Sequence, residues 1–353
     1  MKVLRKGIIA KGGCAFGQGH YWPSVARLPG GRLAAVWSGG RHAHVCPYGR
    51  VEVSYSGDEG VTWSEPSVLY DNSLDDRDAG IAVCGDKAVV TTFTNTRRFQ
   101  RTYVEDMFPG PDNEEKRKSV YAHLDSITDE QEARDLGSFC AAGDGTDFGA
   151  FRRVPITAPH GPIVGEDGRF LYIGRAFVDG DGTAFGLPDG IYYIRSENGV
   201  DWSEPVAAPP ADDGAMLCEP HGFACGDGSV FVAARAHLGG HASMYFNRIA
   251  NGAFGKWYPS DIEGFPPHFL TLSGGGTLLV YGRRTQPYGI RAKLTQDGGR
   301  TWGGEMIING DAAQPDIGYP ASVELKDGSV FTLWYEPIGN DSLGSIAYAV
   351  WKS

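Results

Sequence analysis

Internal repetition constrains this chain more than any other feature. One phrase recurs: an apolar stretch, a turn built on Gly or Asp-Lys, then alternating apolar residues, as in Ala26-Arg27-Leu28-Pro29-Gly30-Gly31-Arg32-Leu33-Ala34-Ala35-Val36-Trp37. Two alternating runs around a tight turn specify a β-hairpin, because the period of two puts one face of each strand on a core. The phrase returns at Gly85-Asp86-Lys87, Asp167-Gly168, Asp227-Gly228, Gly275-Gly276 and Asp327-Gly328, making six copies. Each hairpin supplies two strands, and the stretch before the next copy has room for another pair. The expected fold is therefore all-β, a six-bladed β-propeller of four-stranded blades.

A second repeat falls between the hairpins. Ser56-Gly57-Asp58-Glu59-Gly60-Val61-Thr62-Trp63 and Thr295-Gln296-Asp297-Gly298-Gly299-Arg300-Thr301-Trp302 share the pattern Ser/Thr-x-Asp-x-Gly-x-Thr-Trp, the Asp-box. Degenerate copies stand at Ser196-Glu197-Asn198-Gly199-Val200-Asp201-Trp202, at 143–148 and at 251–257. Asp can accept backbone N–H groups across such a turn, Gly can take a positive φ, and Trp can pack between neighbouring sheets. These residues fasten blades and carry no chemistry.

The stretch from about Thr96 to Gly137 breaks the pattern, being charged and then helix-compatible, and reads as an insertion in the second blade. Strands near Val3–Ile8 and Ser345–Val350 are expected to pair and close the ring, since an open propeller leaves edge strands bare. Residues 1–353 then form a single domain. The 51 Gly and 21 Pro agree with many short strands and tight turns. A net charge of −11 argues against nucleic acid or an anionic membrane as partner. No apolar run is long enough to span a bilayer, and Lys2, Arg5 and Lys6 interrupt the opening residues too soon for a signal peptide, so the expected location is the cytoplasm. Cys14, Cys46, Cys84, Cys140, Cys218 and Cys225 show no paired spacing and read as mostly buried thiols. His42, His44 and Cys46 fit no standard zinc spacing, and no nucleotide or calcium fingerprint is present. Neither a metal nor another cofactor is expected.

Six hairpins with Asp-boxes resemble the sialidase (neuraminidase) superfamily, and the resemblance spans essentially the whole chain. It implies a Tyr nucleophile paired with a Glu, three Arg gripping a substrate carboxylate, and an Asp acid/base. Tyr319, in Gly318-Tyr319-Pro320-Ala321, matches the nucleophile segment, and a phenol suits an anomeric centre that bears a carboxylate because it avoids like-charge repulsion. Glu219 in Cys218-Glu219-Pro220-His221, followed by Arg235 at the end of the next strand, matches the Glu-then-Arg order. In Tyr281-Gly282-Arg283-Arg284, either Arg283 or Arg284 matches the arginine preceding the nucleophile. A planar guanidinium fork suits a carboxylate.

Blade one departs from the pattern. Where the family presents Phe/Tyr-Arg-Ile-Pro, this chain has His20-Tyr21-Trp22-Pro23, with Tyr21 at the Arg position. No Asp stands in Gly39-Gly40-Arg41-His42-Ala43-His44, where the acid/base is expected; His42 or His44 is the substitute, and Arg41 joins the candidate substrate-binding cations. Asp78 resembles a family site residue opening blade two, and Arg77 beside it offers a replacement positive charge. His160, His221 and His268 open three further blades and are expected at the channel mouth as substrate contacts. The resemblance implies an exo-acting glycoside hydrolase cleaving a terminal α-linked sugar, sialic acid or a related acidic sugar, with a glycoside as its partner. A glycan- or protein-binding propeller without catalysis, and a glycosidase for a non-sialic sugar, stay open. Oligomeric state has no sequence signal.

Overall fold

The computed structural model describes residues 1–13, 17–177, 186–339 and 343–352. Six antiparallel sheets stand in sequence order around a channel, and in five of them the strands run in chain order from the centre to the rim. The inner strands are Gly19–Arg27, Arg77–Cys84, Ile156–Thr157 with Ile163–Val164, Met216–Ala224, His268–Thr271 and Gly318–Glu324. Five sheets are continuous in sequence. The sixth takes its outer strand, Lys2–Ala10, from the chain start, pairing antiparallel with Gly344–Lys352 so that Gly7 faces Tyr348. This closure removes the edge that a ring of sheets would otherwise expose.

The turn motifs act as their residues dictate. Asp58 accepts the Val61 and Thr62 N–H groups at 3.1 and 2.9 Å and the Thr62 hydroxyl at 2.6 Å; Asp297 repeats this with Thr301 at 2.9 and 2.6 Å. Gly60 and Gly299 take φ of +75° and +85° and lie flat on Phe331 and Phe231 of the preceding blade, where a Cβ would come within 2.7 and 2.5 Å of the ring. Trp63 and Trp302 follow onto the same rings, with centroids at 5.6 and 5.9 Å. Each motif thus joins one blade to the blade before it.

The insertion lies between the second and third strands of blade two, on the face where the inner strands begin. It forms four α-helices, α1 (Arg97–Thr102), α2 (Val104–Met107), α3 (Glu114–Ser126) and α4 (Asp129–Asp135), around Val104, Phe108, Val120, Leu124 and Ile127. Its core includes Leu74 at the entrance to blade two, and His123 packs on Tyr48 of blade one at 4.8 Å. The helices therefore brace the loop that carries His44 and the segment that leads into the strand of Asp78. Cys46 and Cys140 are buried, while Cys84, Cys218 and Cys225 are only partly so, which corrects the expectation of mostly buried thiols; Cys14 lies outside the described residues. Among the described residues no helix is long and apolar enough to cross a membrane.

Candidate active site

Four inner strands share one irregularity. In blades one, two, four and six the ladder slips so that two residues oppose one: Trp22-Pro23, Asp78-Ala79, Glu219-Pro220 and Tyr319-Pro320. The first residue of each pair takes a left-handed backbone, with φ of 50°, 48°, 51° and 52°. Non-glycine residues adopt this conformation at a cost, and bulges re-aim a side chain. The four bulges sit at the same level of the ring, which brings residues about 300 positions apart in the chain into one cluster.

At its centre the Tyr319 hydroxyl donates to Glu219 Oε1 at 2.5 Å, a short charge-assisted bond. Burial, with the Glu219 and Asp78 carboxyl groups nearby, pushes the Tyr319 phenol well above its usual range, so it rests protonated against its acceptor. Arg235 Nη1 reaches Glu219 Oε2 at 3.2 Å, with its guanidinium 4.2 Å from the centre of the Phe265 ring. Arg284 lies across the same ring at 5.6 Å and over Tyr319 at 5.8 Å. Its Nε donates to the Ile317 carbonyl at 2.9 Å and its Nη2 to the Tyr335 hydroxyl at 2.8 Å, and that hydroxyl donates on to Asp316 at 2.7 Å. Asp78 completes the group. Burial, opposed by Arg77 and reinforced by Glu219, lifts its carboxyl to about 7, so it holds its proton up to neutrality.

The structure brings Tyr319, Glu219, Asp78, Arg235 and Arg284 together and corrects several other expectations. Arg283, one residue before Arg284 and on the other side of the strand end, turns away to Glu263 at 3.2 Å and Glu305 at 3.7 Å. Arg41 is fully buried in an ion pair with Asp75 at 2.7 Å and cannot touch a ligand. Arg77 shares Asp75 at 3.1 Å and donates to the His44 carbonyl at 2.7 Å. Both guanidiniums lie against Trp22, Arg41 at 4.6 Å and Arg77 at 4.1 Å from the ring centre, so they hold the indole in place. Tyr21 does not occupy the bulge; it packs behind it against Tyr335 at 5.1 Å, and burial pushes its phenol to about 12. Trp22 is the bulge residue.

His44 reaches the site edge, perpendicular to Trp22 at 5.0 Å, but burial and the Arg77, Arg41 and Arg284 charges lower it to about 3. An imidazole held neutral lacks the acidic second ring proton of an imidazolium, so the general-acid role expected of His44 is not supported. His42 sits farther off, its ring 5.0 Å from Tyr48, and is lowered to about 4 by burial and the nearby Arg41 and Lys116 charges. His160, His221 and His268 are placed below the mouth: they pack on one another at 4.7 to 5.7 Å, buried and neutral, with His160 6.5 Å beneath Tyr319. They plug the channel under the site. Among the described residues no cluster of three or more potential ligands is arranged to hold a metal ion.

Sequence reasoning passed over Trp22, Tyr335 and Arg175. A signal for Trp22 was present: Trp22-Pro23, Glu219-Pro220 and Tyr319-Pro320 share a following proline. Arg175 opposes Thr157 in blade three as Arg235 opposes Cys218 in blade four. It lines a cavity of about 250 Å³ whose walls also include Asp78 and Glu219.

Six radial sheets around a channel define a β-propeller of the sialidase-like fold, and a cluster of acid, phenol and guanidinium groups stands at one end of the channel. Comparison with known proteins agrees on the fold. The chain is similar to a protein of unknown function from Dyadobacter fermentans, at 18% identity and a TM-score of 0.76 over 99% of this chain and 98% of that one. It is also similar to the Hadza microbial sialidase (14%, 0.66, 98% of this chain and 68% of that one). The Trypanosoma rangeli sialidase, solved as a covalent intermediate with 2,3-difluorosialic acid, matches at 13% and 0.62 over 95% of this chain, which spans about half (54%) of the trypanosomal protein. No family model and no curated protein matches.

Proposed function

We propose that this protein is an exo-acting glycoside hydrolase that cleaves a terminal α-linked sugar, sialic acid or a related acidic sugar, through Tyr319 and Glu219. The observation that carries the reading is the 2.5 Å hydrogen bond between the two, flanked by Arg235 and Arg284. A phenol is a weak nucleophile until a base takes its proton, and Glu219 is within transfer distance. The phenolic oxygen forms a bond to the anomeric carbon as its proton passes to Glu219. The glycosidic C–O bond breaks, and the leaving oxygen takes its proton from Asp78, which burial keeps loaded to about pH 7. A water then attacks the anomeric carbon and gives a proton to Asp78, the bond between that carbon and the phenolic oxygen breaks, and the phenol regains its own proton from Glu219. Arg235 and Arg284 face the carboxylate of an acidic sugar and stabilise charge on the phenolic oxygen as it develops.

Trp22, standing where blade one bulges, supports a second reading, a glycosidase for a non-sialic sugar, because an indole fills space there and supplies no charge. A panel of aryl α-glycosides led by the α-sialoside, run on the wild type and on Tyr319→Phe, separates the readings. Release from the sialoside that vanishes in the variant supports the proposal, release from another sugar alone moves the substrate, and binding without any release leaves a lectin-like propeller.

A further inference from the structure

We infer that Arg175 is a specificity-determining residue, and that the cavity it lines takes an uncharged, oxygen-bearing substituent of the substrate sugar. The inference rests on the reading of Tyr319 and Glu219 as a sugar site. The cavity, about 250 Å³, is lined by Asp78, Glu219, Phe93, Phe177, Cys218 and Arg175 among others. A group entering it stays attached to a ring held over Tyr319.

Strand register puts Arg175 at the site. In blades two, four and six the residue facing the position before the bulge is Phe93, Arg235 and Tyr335, and all three border the site. Blade three has no such bulge, but there Arg175 faces Thr157 at the end of the first inner segment and lines the cavity beside Asp78 and Glu219. Its Nε and Nη2 are taken by Asp189, each at 2.7 Å, in a bidentate pair that fixes the plane of the guanidinium. Among the described residues none accepts from Nη1. A fixed fork with N–H groups beyond those Asp189 takes discriminates by hydrogen bonding, because a ligand lacking the matching acceptor leaves donors unpaired.

The charge of the incoming group follows from the same geometry. Asp189 already neutralises Arg175, and Glu219 lines the same cavity, so an anionic substituent would meet two carboxylates. An ammonium would face the guanidinium. A hydroxyl or an amide carbonyl meets neither penalty, and the Phe93 and Phe177 rings can cover its carbon atoms. On a sialic acid such an oxygen comes from the exocyclic polyol arm or from the acylamino group.

The test uses a non-hydrolysable probe, methyl α-thiosialoside, so that binding is read apart from turnover. Its affinity is measured by calorimetry for the wild type, Arg175→Met and Arg175→Lys, together with two analogues, one lacking the polyol arm and one lacking the acylamino group. Thermal melts and circular dichroism check that the variants fold; the lysine keeps a charge partner for Asp189 while removing the fork. The expected result is a loss of about tenfold or more in both variants, of the size that a hydrogen bond to a charged group carries. That loss disappears for whichever analogue lacks the group that enters the cavity. Equal affinity in wild type and variants, or a loss that persists on both analogues, overturns the assignment of Arg175 and leaves the Tyr319 and Glu219 reading standing. Arg175-sensitive binding with no release from any glycoside overturns hydrolysis and leaves the subsite standing. Failure of the wild type to bind any of the three probes sinks both.

Discussion

Asp78→Asn tests the electrostatics of the site without a substrate. Asparagine keeps the shape of the side chain and removes its titration. In the folded protein burial lifts the Asp78 carboxyl from 3.8 to about 7. Folding therefore opposes its ionisation, so the stabilisation of the protonated form is complete below the unfolded pKa and is lost as pH rises through the folded one. Raising a carboxyl by one pH unit corresponds to about 1.4 kcal/mol, so the full cost to the wild type above neutrality is about 4 kcal/mol. Between pH 5 and pH 8 the linkage relation assigns roughly 2 to 3 kcal/mol of that change. Urea unfolding of both proteins, followed by tryptophan fluorescence at half-unit steps of pH, reads the difference directly. Asp78→Asn is expected to gain on the wild type by about 1 kcal/mol per pH unit through the middle of that range and to level off above about pH 7.5. A difference that stays flat from pH 5 to pH 8 would refute the idea that Asp78 is held protonated, and with it the acid role.

The raised Asp78 carboxyl also sets the pH limb of catalysis: aryl α-sialoside hydrolysis should fall about tenfold per pH unit well above pH 7, as the proton on Asp78 is lost, and a rate that rises to pH 9 would exclude Asp78 as the acid. Tyr319→Phe and Glu219→Gln should each lower kcat by about a thousandfold or more while circular dichroism is unchanged, since each removes one half of the nucleophile couple. Arg41→Met leaves Asp75 buried beside Arg77 alone, and urea unfolding should show a loss of about 3 to 5 kcal/mol; a loss under about 1 kcal/mol would mean the pair does not hold the Trp22 wall. Gly299→Ala forces a Cβ to within 2.5 Å of Phe231 at a φ of +85°, and a destabilisation of about 2 kcal/mol is expected, read from the same unfolding curves.

Some of this site was open to sequence reasoning because its signals are local. Tyr319, Glu219 and Arg235 stand at fixed offsets from hairpin turns, and a turn is specified by adjacent residues. Arg283 and Arg284 could not be separated that way, because neighbours on a strand end point to opposite sides and only the glutamates around Arg283 decide which one is taken. For His44, an ordinary histidine in the sequence, the deciding facts are its burial first and then the convergence of Arg77, Arg41 and Arg284 from three blades. Trp22 was missed by one residue, since a bulge shifts the ladder without altering the alternation on either side of it.

What the sequence by itself determined is the repeating architecture: six hairpins, their turn chemistry and the glycine-tryptophan fastenings depend on contacts within a few residues, where pattern and structure coincide. What only the tertiary structure decided is which polar groups share one low-dielectric space. The proton held by Asp78, the neutrality of His44, the burial of Arg41 and the exposure of Arg175 to the cavity each follow from charges and walls that reach them from other blades. Electrostatic fields and solvent exclusion act through space, and ring closure sets those distances.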